Sequence, residues 1–208
     1  LMPEKYVSRF DAVVVSCDMI TGYGAGIDTC WERMITGKTA ISRVNRFNTQ
    51  AFQSDYAATI KGLKYLQRDS LVMQMFRLLF KKDAVSIPGD AKFLLATPKG
   101  EIDLLEKSFL QRKGDASKSN PQYLLKKLLA LIGIKDRGMI ISAACASSSA
   151  AVSIAASMVR RGYTDCVLVV ACDSVTEFVF SGFSSLMALD KFSARPFASF
   201  HQPGGFQC

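Results

Sequence analysis

Two periodicities of apolar residues alternate along the chain. Nearly continuous apolar, β-branched or leucine-rich runs occupy residues 11–19, 92–97, 139–144 and 166–172, the pattern of strands buried on both faces of a parallel sheet. Between them the apolar positions fall at helical spacing. Leu71, Met75, Leu78 and Leu79 mark a helix over residues 70–81, in which Met73, Met75 and Phe76 are expected to be core. Asn120 followed by Pro121 reads as a cap with proline at the first helical position, opening a helix through Leu131. Asp28 or Thr29 is expected to cap a helix that carries Cys30, Trp31 and Met34 and stops at Gly37. Pro98 and Gly100 end the strand at 92–97, and a further helix follows from about Glu101. Residues 48–65 read as irregular and 114–119 as a polar, lysine-bearing loop. Strands alternating with helices predict an α/β layered fold around a mostly parallel sheet.

The glycine-rich stretch Thr21-Gly22-Tyr23-Gly24-Ala25-Gly26 lacks the third glycine position of the dinucleotide fingerprint, so it reads as a sharp turn into a helix. The uncharged stretch 138–159 is long enough to raise the question of a membrane span. Its six serines and the small residues of its second half point instead to a buried strand and helix, and no membrane span is expected. With 208 residues, 49% of them hydrophobic and 21% charged, the chain has the makings of one globular domain with a sizeable core. The net charge of +8 would steer any acidic partner. The basic residues are spread out, with no basic-aromatic cluster, so no nucleic acid is expected.

Six cysteines and a single histidine, His201, bound the possible chemistry. No C-x-x-C pair is present, so no metal site is expected. With no secretory leader and no regular cysteine framework, a reducing cytoplasm is the expected compartment. Cys17, Cys166 and Cys172 flank apolar runs and read as strand-core residues; Cys30 sits on a helix and Cys208 is terminal. Cys145 differs. The run 139–144 leads up to it, and Ala146-Ser147-Ser148-Ser149-Ala150-Ala151 opens a helix of small residues after it. A thiol at a strand-to-helix corner meets the unpaired N–H groups and the dipole of a helix N-terminus, which favour a thiolate nucleophile.

Several segments together resemble a known family. Trp31-Glu32-Arg33, Gly37-Lys38-Thr39-Ala40-Ile41 and Arg46-Phe47 are similar to an early helix of the β-ketoacyl–acyl carrier protein synthases. Ser142-Ala143-Ala144-Cys145-Ala146-Ser147 resembles the nucleophile segment of that family. Arg161-Gly162-Tyr163-Thr164-Asp165 ahead of an apolar strand, Gly182-Phe183 with Ala188-Leu189, and Ala194-Arg195-Pro196-Phe197 follow in the family's order. Lys99-Gly100-Glu101-Ile102-Asp103 is similar to a variant in synthases of aryl-polyene or flexirubin-type pigment pathways.

The resemblance implies the N-terminal half of a thiolase-like layered fold, a mixed, mostly parallel sheet with helices on both faces, over a single domain spanning residues 1–208. It implies that Cys145 accepts an acyl group from acyl carrier protein for decarboxylative condensation with a malonyl thioester, in fatty acid or polyketide-type biosynthesis. The Cys145 N–H would then form half of an oxyanion hole, and Phe183 would line or gate the acyl pocket. No cofactor is implied beyond phosphopantetheine-borne substrates. Acyl carrier protein and a synthase-like subunit, in a homo- or hetero-oligomer, are the implied partners. Two other readings remain: a non-catalytic subunit of the chain-length-factor type, and another cysteine acyltransferase or hydrolase, for which only His201 could serve as base.

The pattern departs from the family in two places. Ser148 stands where the family often has glycine. After Phe197 the pattern is lost, and the second half, which in the family supplies two histidines, a lysine and a glycine-rich loop, does not follow. A reading-frame change near residue 198 is one expectation that explains this, and His201 matches none of the family's histidine motifs.

Overall fold

The computed structural model describes residues 11–66, 69–80, 86–110, 112 and 115–191. In chain order the elements are β1 (Ile20–Thr21), β2 (Gly24–Ala25), α1 (Ile27–Ile35), β3 (Ser42–Arg43), β4 (Tyr56–Ala57), α2 (Leu71–Leu79), β5 (Lys92–Ala96) and α3 (Ile102–Leu110). A short 3-10 turn over Ala116–Ser119 follows, then α4 (Pro121–Ile132), β6 (Met139–Ile141), α5 (Ser147–Arg160), β7 (Val167–Ala171) and α6 (Glu177–Ser185). The chain divides into two compact units. Among the described residues, one holds 11–17, 86–101 and 118–173, and the other holds 18–66, 69–80, 102–110, 112, 115–117 and 174–191.

The first unit is built on a three-stranded parallel sheet of order β6-β5-β7. Parallel strands need crossover connections, and α5 provides the one from β6 on one side of β5 to β7 on the other. Side chains of a strand alternate between faces. Leu94 and Ala96 pack with Ala151, Ile154, Ala155 and Met158 of α5, and with Ile141, Val167 and Val169 of the outer strands. Phe93 and Leu95, on the opposite face of β5, are fully buried. The Ala and Ser content of α5 allows this close seat, since Ala151 has no exposed surface at all. Asn120 caps α4 as expected, its side chain accepting from the Gln122 N–H at 2.9 Å, and Gly133 closes that helix in the left-handed conformation.

Asp136 fixes where β5 and β6 begin. It accepts from the Phe93 and Gly138 N–H groups at 3.1 and 3.2 Å and from the Lys92 ammonium at 3.2 Å. Burial would raise its carboxyl, but these bonds together hold it below the usual carboxylate range.

The second unit gathers short antiparallel ladders, β1 with β2 and β3 with β4, and the helices α1, α2, α3 and α6. Its aromatic core centres on Phe180, which meets Phe47 and Phe52 edge to face at 5.5 Å, alongside Val44 and Leu189. Arg46 donates to the Val175 and Ile60 carbonyls at 3.0 and 3.1 Å, so the Arg46-Phe47 pair is a structural anchor. Helix starts are tied from a distance as well as locally: Glu106 accepts from the Phe178 N–H at 2.9 Å, and Asp103 from the Leu71 N–H at 3.1 Å.

Four expectations are corrected. Residues 48–65, read as irregular, contain β4, which finds an antiparallel partner in β3. Residues 11–19 form no strand, and Val13, Val14 and Val15 are 75–84% exposed. A β-branched run fits a pleated, half-buried surface but supplies no ladder partner of its own, and none of the described strands pairs with it. Cys17, which follows this run, is accordingly exposed and not a strand-core residue. The cap of α1 is Gly26 at φ 102°, not Asp28 or Thr29; the Asp18 carboxylate, folded back from upstream, takes the Ile27 N–H at 3.1 Å. The glycine-rich turn itself leads into a helix as read, with Gly24 and Gly26 both at positive φ.

Candidate active site

The three parallel strands end level, with Ala96 opposite both Ile141 and Ala171. Whatever follows each strand therefore emerges at one edge of the sheet, the carboxyl edge where open α/β sheets place their sites. The ladder runs on for one more bond on each side, from the Thr97 N–H to the Ile141 carbonyl at 3.1 Å and from the Cys172 N–H to the Ala96 carbonyl at 3.0 Å.

Beyond β6 the chain makes one sharp corner before α5. Ala144 sits at φ +48°, a left-handed conformation that costs a residue with a Cβ about 1–2 kcal/mol. Cys145 comes next, exposed, and α5 starts two residues later. The corner is closed by hydrogen bonds across it. The Ala146 N–H donates to the Ala143 carbonyl at 3.0 Å and the Ser147 N–H to the Ala144 carbonyl at 3.2 Å. The Ser147 hydroxyl accepts from the Ala143 N–H at 2.9 Å and donates to the Ala144 carbonyl at 2.7 Å. A cysteine on a strained strand-to-helix turn, held out from the sheet edge, has the layout of a nucleophile elbow. Ser148 is exposed, so its side chain is accommodated in place of glycine.

The same edge carries a second set of groups. Thr97 and Glu101 are buried; Glu101 accepts two hydrogen bonds from the Lys127 ammonium at 2.7 and 2.9 Å, and Lys99 pairs with Asp173. Burial pushes the Cys172 thiol up to about 12, assisted by the Asp173 and Glu101 charges and opposed by a hydrogen bond with Thr97. Cys172 is thus held as a neutral thiol, unsuited to the nucleophile's task. Lys99 and Glu101, singled out in the sequence as part of a pathway-specific variant, here form structural ion pairs.

Phe183 lies on α6 in the other unit, half-buried against the Val44–Phe180–Leu189 cluster. His201 and the Ala194-Arg195-Pro196-Phe197 segment, with everything else after Lys191, lie outside the described residues. Among the described residues no group of three or more His, Cys, Asp or Glu side chains could hold a metal ion. None of the described helices is long and apolar enough to cross a membrane.

Sequence reasoning missed Ser147 and the strain at Ala144. Three serines follow one another there, and only burial separates them: Ser147 is 4% exposed while Ser148 and Ser149 are open to solvent. It also missed Asp136, whose role depends on a turn that brings residue 136 back to residue 93.

Known proteins give the geometry its context. Residues 130–206 match the family described as β-ketoacyl synthase, N-terminal domain, a stretch that contains both Cys145 and Phe183. The structure of the ishigamide ketosynthase/chain length factor superposes with a TM-score of 0.73 at 18% identity, over 91% of this chain and 54% of that one. The fold is that of the N-terminal half of a β-ketoacyl synthase. A β-ketoacyl synthase from Burkholderia phymatum gives a TM-score of 0.61 at 16% identity, over 84% of this chain and 50% of its own. The ketosynthase of a type II polyketide synthase, solved with its acyl-carrier protein and bound to the hexaketide, gives 0.63 at 16% identity, over 85% and 48%. This ketosynthase-like chain therefore spans about half the length of the solved chains it matches. No curated protein matches it.

Proposed function

We propose that Cys145 is the acyl acceptor of a condensing reaction of the β-ketoacyl synthase type. The observation that carries the proposal is the exposed thiol on the strained corner between β6 and α5, at the carboxyl edge of a parallel sheet. The Cys145 sulfur attacks the carbonyl of an acyl thioester borne on the phosphopantetheine of a carrier protein. A carbon–sulfur bond to Cys145 forms, the bond to pantetheine breaks, and the departing thiolate takes up the proton that Cys145 loses. Capturing the acyl group in this way splits a difficult condensation into two easier steps. The Cys145 N–H, at the helix start, stabilises the oxyanion that develops on the carbonyl. Phe183 is the residue we assign to the acyl pocket wall, and the +8 charge suits an acidic carrier protein. The reaction needs no cofactor beyond the phosphopantetheine arm, and the working form pairs with a second synthase-like subunit, all in the cytoplasm.

In the second step a carbanion from decarboxylation of a malonyl thioester attacks the acyl-enzyme. That step calls for donors that these 208 residues, with one histidine, do not by themselves supply. Residues 1–208 by themselves are therefore expected to acylate without condensing. A second reading, a non-catalytic subunit, draws support from the ketosynthase/chain length factor among the similar structures. A cysteine at the elbow favours the enzyme reading, since a non-catalytic subunit has no use for a nucleophile there. Incubation with an acyl–carrier protein thioester, read by intact mass, decides between them. The enzyme reading expects one acyl group on the wild-type chain and none on Cys145→Ala; equal labelling of both rules out Cys145 as acceptor.

A further inference from the structure

Helix α5 starts without the usual help. Its cap residue is Ala146, which has no side-chain oxygen to offer the first N–H groups. The hydroxyl that could have done this work, on Ser147 one residue further, turns backwards instead. It is buried against the entering loop, accepting from the Ala143 N–H at 2.9 Å and donating to the Ala144 carbonyl at 2.7 Å. Both lone-pair and proton functions of the hydroxyl are thus used on the two residues ahead of Cys145.

The second of these bonds has a particular consequence. A peptide unit is planar, so the Ala144 carbonyl and the Cys145 N–H are one rigid group pointing in opposite directions. Fixing the carbonyl fixes the N–H. The Ala144 carbonyl is held by two donors from one residue, the Ser147 N–H at 3.2 Å and the Ser147 hydroxyl at 2.7 Å. The peptide on the other side of Ala144 is held through its carbonyl by the Ala146 N–H at 3.0 Å. Ala144, strained at φ +48°, is clamped by both of its flanking peptides. Without the hydroxyl, the Ala143 N–H loses its acceptor and the left-handed turn loses the bond that most shortens it.

We propose that Ser147 is a positioning residue whose hydroxyl sets the direction of the Cys145 N–H and so prepares the oxyanion site for thioester attack. This rests on the acyl-acceptor role of Cys145 proposed above. The prediction separates two reactions of the same thiol. Acyl transfer develops an oxyanion and needs the N–H aimed at it; alkylation by iodoacetamide is a direct displacement at carbon and develops none. Loss of one oxyanion donor typically costs about 100- to 1000-fold, and a misdirected donor less, so a fall of about 10- to 100-fold is expected.

The test measures both reactions on the full chain, with butyryl-pantetheine as the acyl donor and peptide mass mapping at Cys145. Ser147→Ala is expected to lower the acylation rate about 10- to 100-fold while leaving Cys145 alkylation within about twofold. Ser147→Thr keeps the hydroxyl and is expected to acylate at close to the wild-type rate. Ser147→Val, its near-isostere without the hydroxyl, should behave like the alanine variant and serves where that variant folds poorly. Wild-type chain that is not acylated at all overturns the acceptor role and the clamp with it. Wild-type acylation matched by Ser147→Ala, or equal rates for the threonine and valine variants, overturns the clamp alone. A parallel loss of acylation and alkylation also overturns it, since that would reflect a collapsed corner.

Discussion

The chain's cysteines share one chemistry and are sorted by their surroundings. Cys145 and Cys17 are exposed and Cys30 is buried beneath the glycine-rich turn, while Cys172 is half-buried, its thiol raised by desolvation and by the Asp173 and Glu101 charges. Alkylation with iodoacetamide near neutral pH should therefore modify Cys145 and Cys17 and spare Cys30 and Cys172 until the chain unfolds, as peptide mapping would show. Early labelling of Cys172 would contradict its raised, neutral thiol. The same group gives a signed pH dependence. Its thiol is raised from 9.0 to about 12 on folding, so folding keeps a proton that the unfolded chain releases. The stability this adds is complete below pH 9 and is lost as the pH rises toward 12. Cys172→Ala should flatten the alkaline side of a stability–pH curve measured by urea unfolding.

At the scale of elements, the junction between β5 and β6 is the most informative. Asp136 ties the first residues of β5 to the turn before β6, and Gly138 occupies φ +69° where an added Cβ would lie 2.7 Å from Leu125 Cδ1. Asp136→Asn is expected to cost about 1–2 kcal/mol. Because its carboxyl is held below the usual range, that contribution is present above the unfolded-state pKa and disappears as the pH falls through the folded one. Gly138→Ala is expected to cost at least about 1 kcal/mol through its backbone alone. Leu125→Ala alone empties a buried site, so relief of the clash should appear as a double variant that costs less than the sum of the two single changes. Both are read by denaturant unfolding.

The elements around this junction also show what was legible in the sequence. Residues 92–97 and 166–172 read as strands and became β5 and β7, because each holds an unbroken apolar run, residues 93–96 and 166–172, and found a parallel partner. Residues 11–19 carried the same signal and formed no strand, since a run of valines specifies a surface to be buried but not the neighbour that buries it. Asn120-Pro121 was readable because cap chemistry is local. Asp18, Asp103 and Glu106 were not, because each ties a helix start 9, 32 or 72 residues away in sequence. The strand-to-helix corner at Cys145 was legible from the small residues that follow it. Its clamp was not, since nothing in three consecutive serines says which one turns inward.

For the molecule as a whole, the ketosynthase-like fold is present at about half the length of its solved relatives, with large apolar side chains left open in each unit. Val13, Val14 and Val15 in one unit, and Trp31, Ile35, Phe109 and Leu186 in the other, are all more than half exposed. Apolar surface of this kind favours association. Sedimentation velocity should find dimers or larger species, and a purely monomeric chain at micromolar concentration would contradict this. The central claim is chemical and rests on one atom, the Cys145 sulfur. Its most direct test is to incubate the protein with an acyl–carrier protein thioester and locate the acyl group by peptide mass mapping. The account predicts the acyl group on the peptide carrying Cys145, with Cys17, also exposed, unmodified. An acyl group on Cys17 or spread over both exposed cysteines, or no acylation at all, would contradict it.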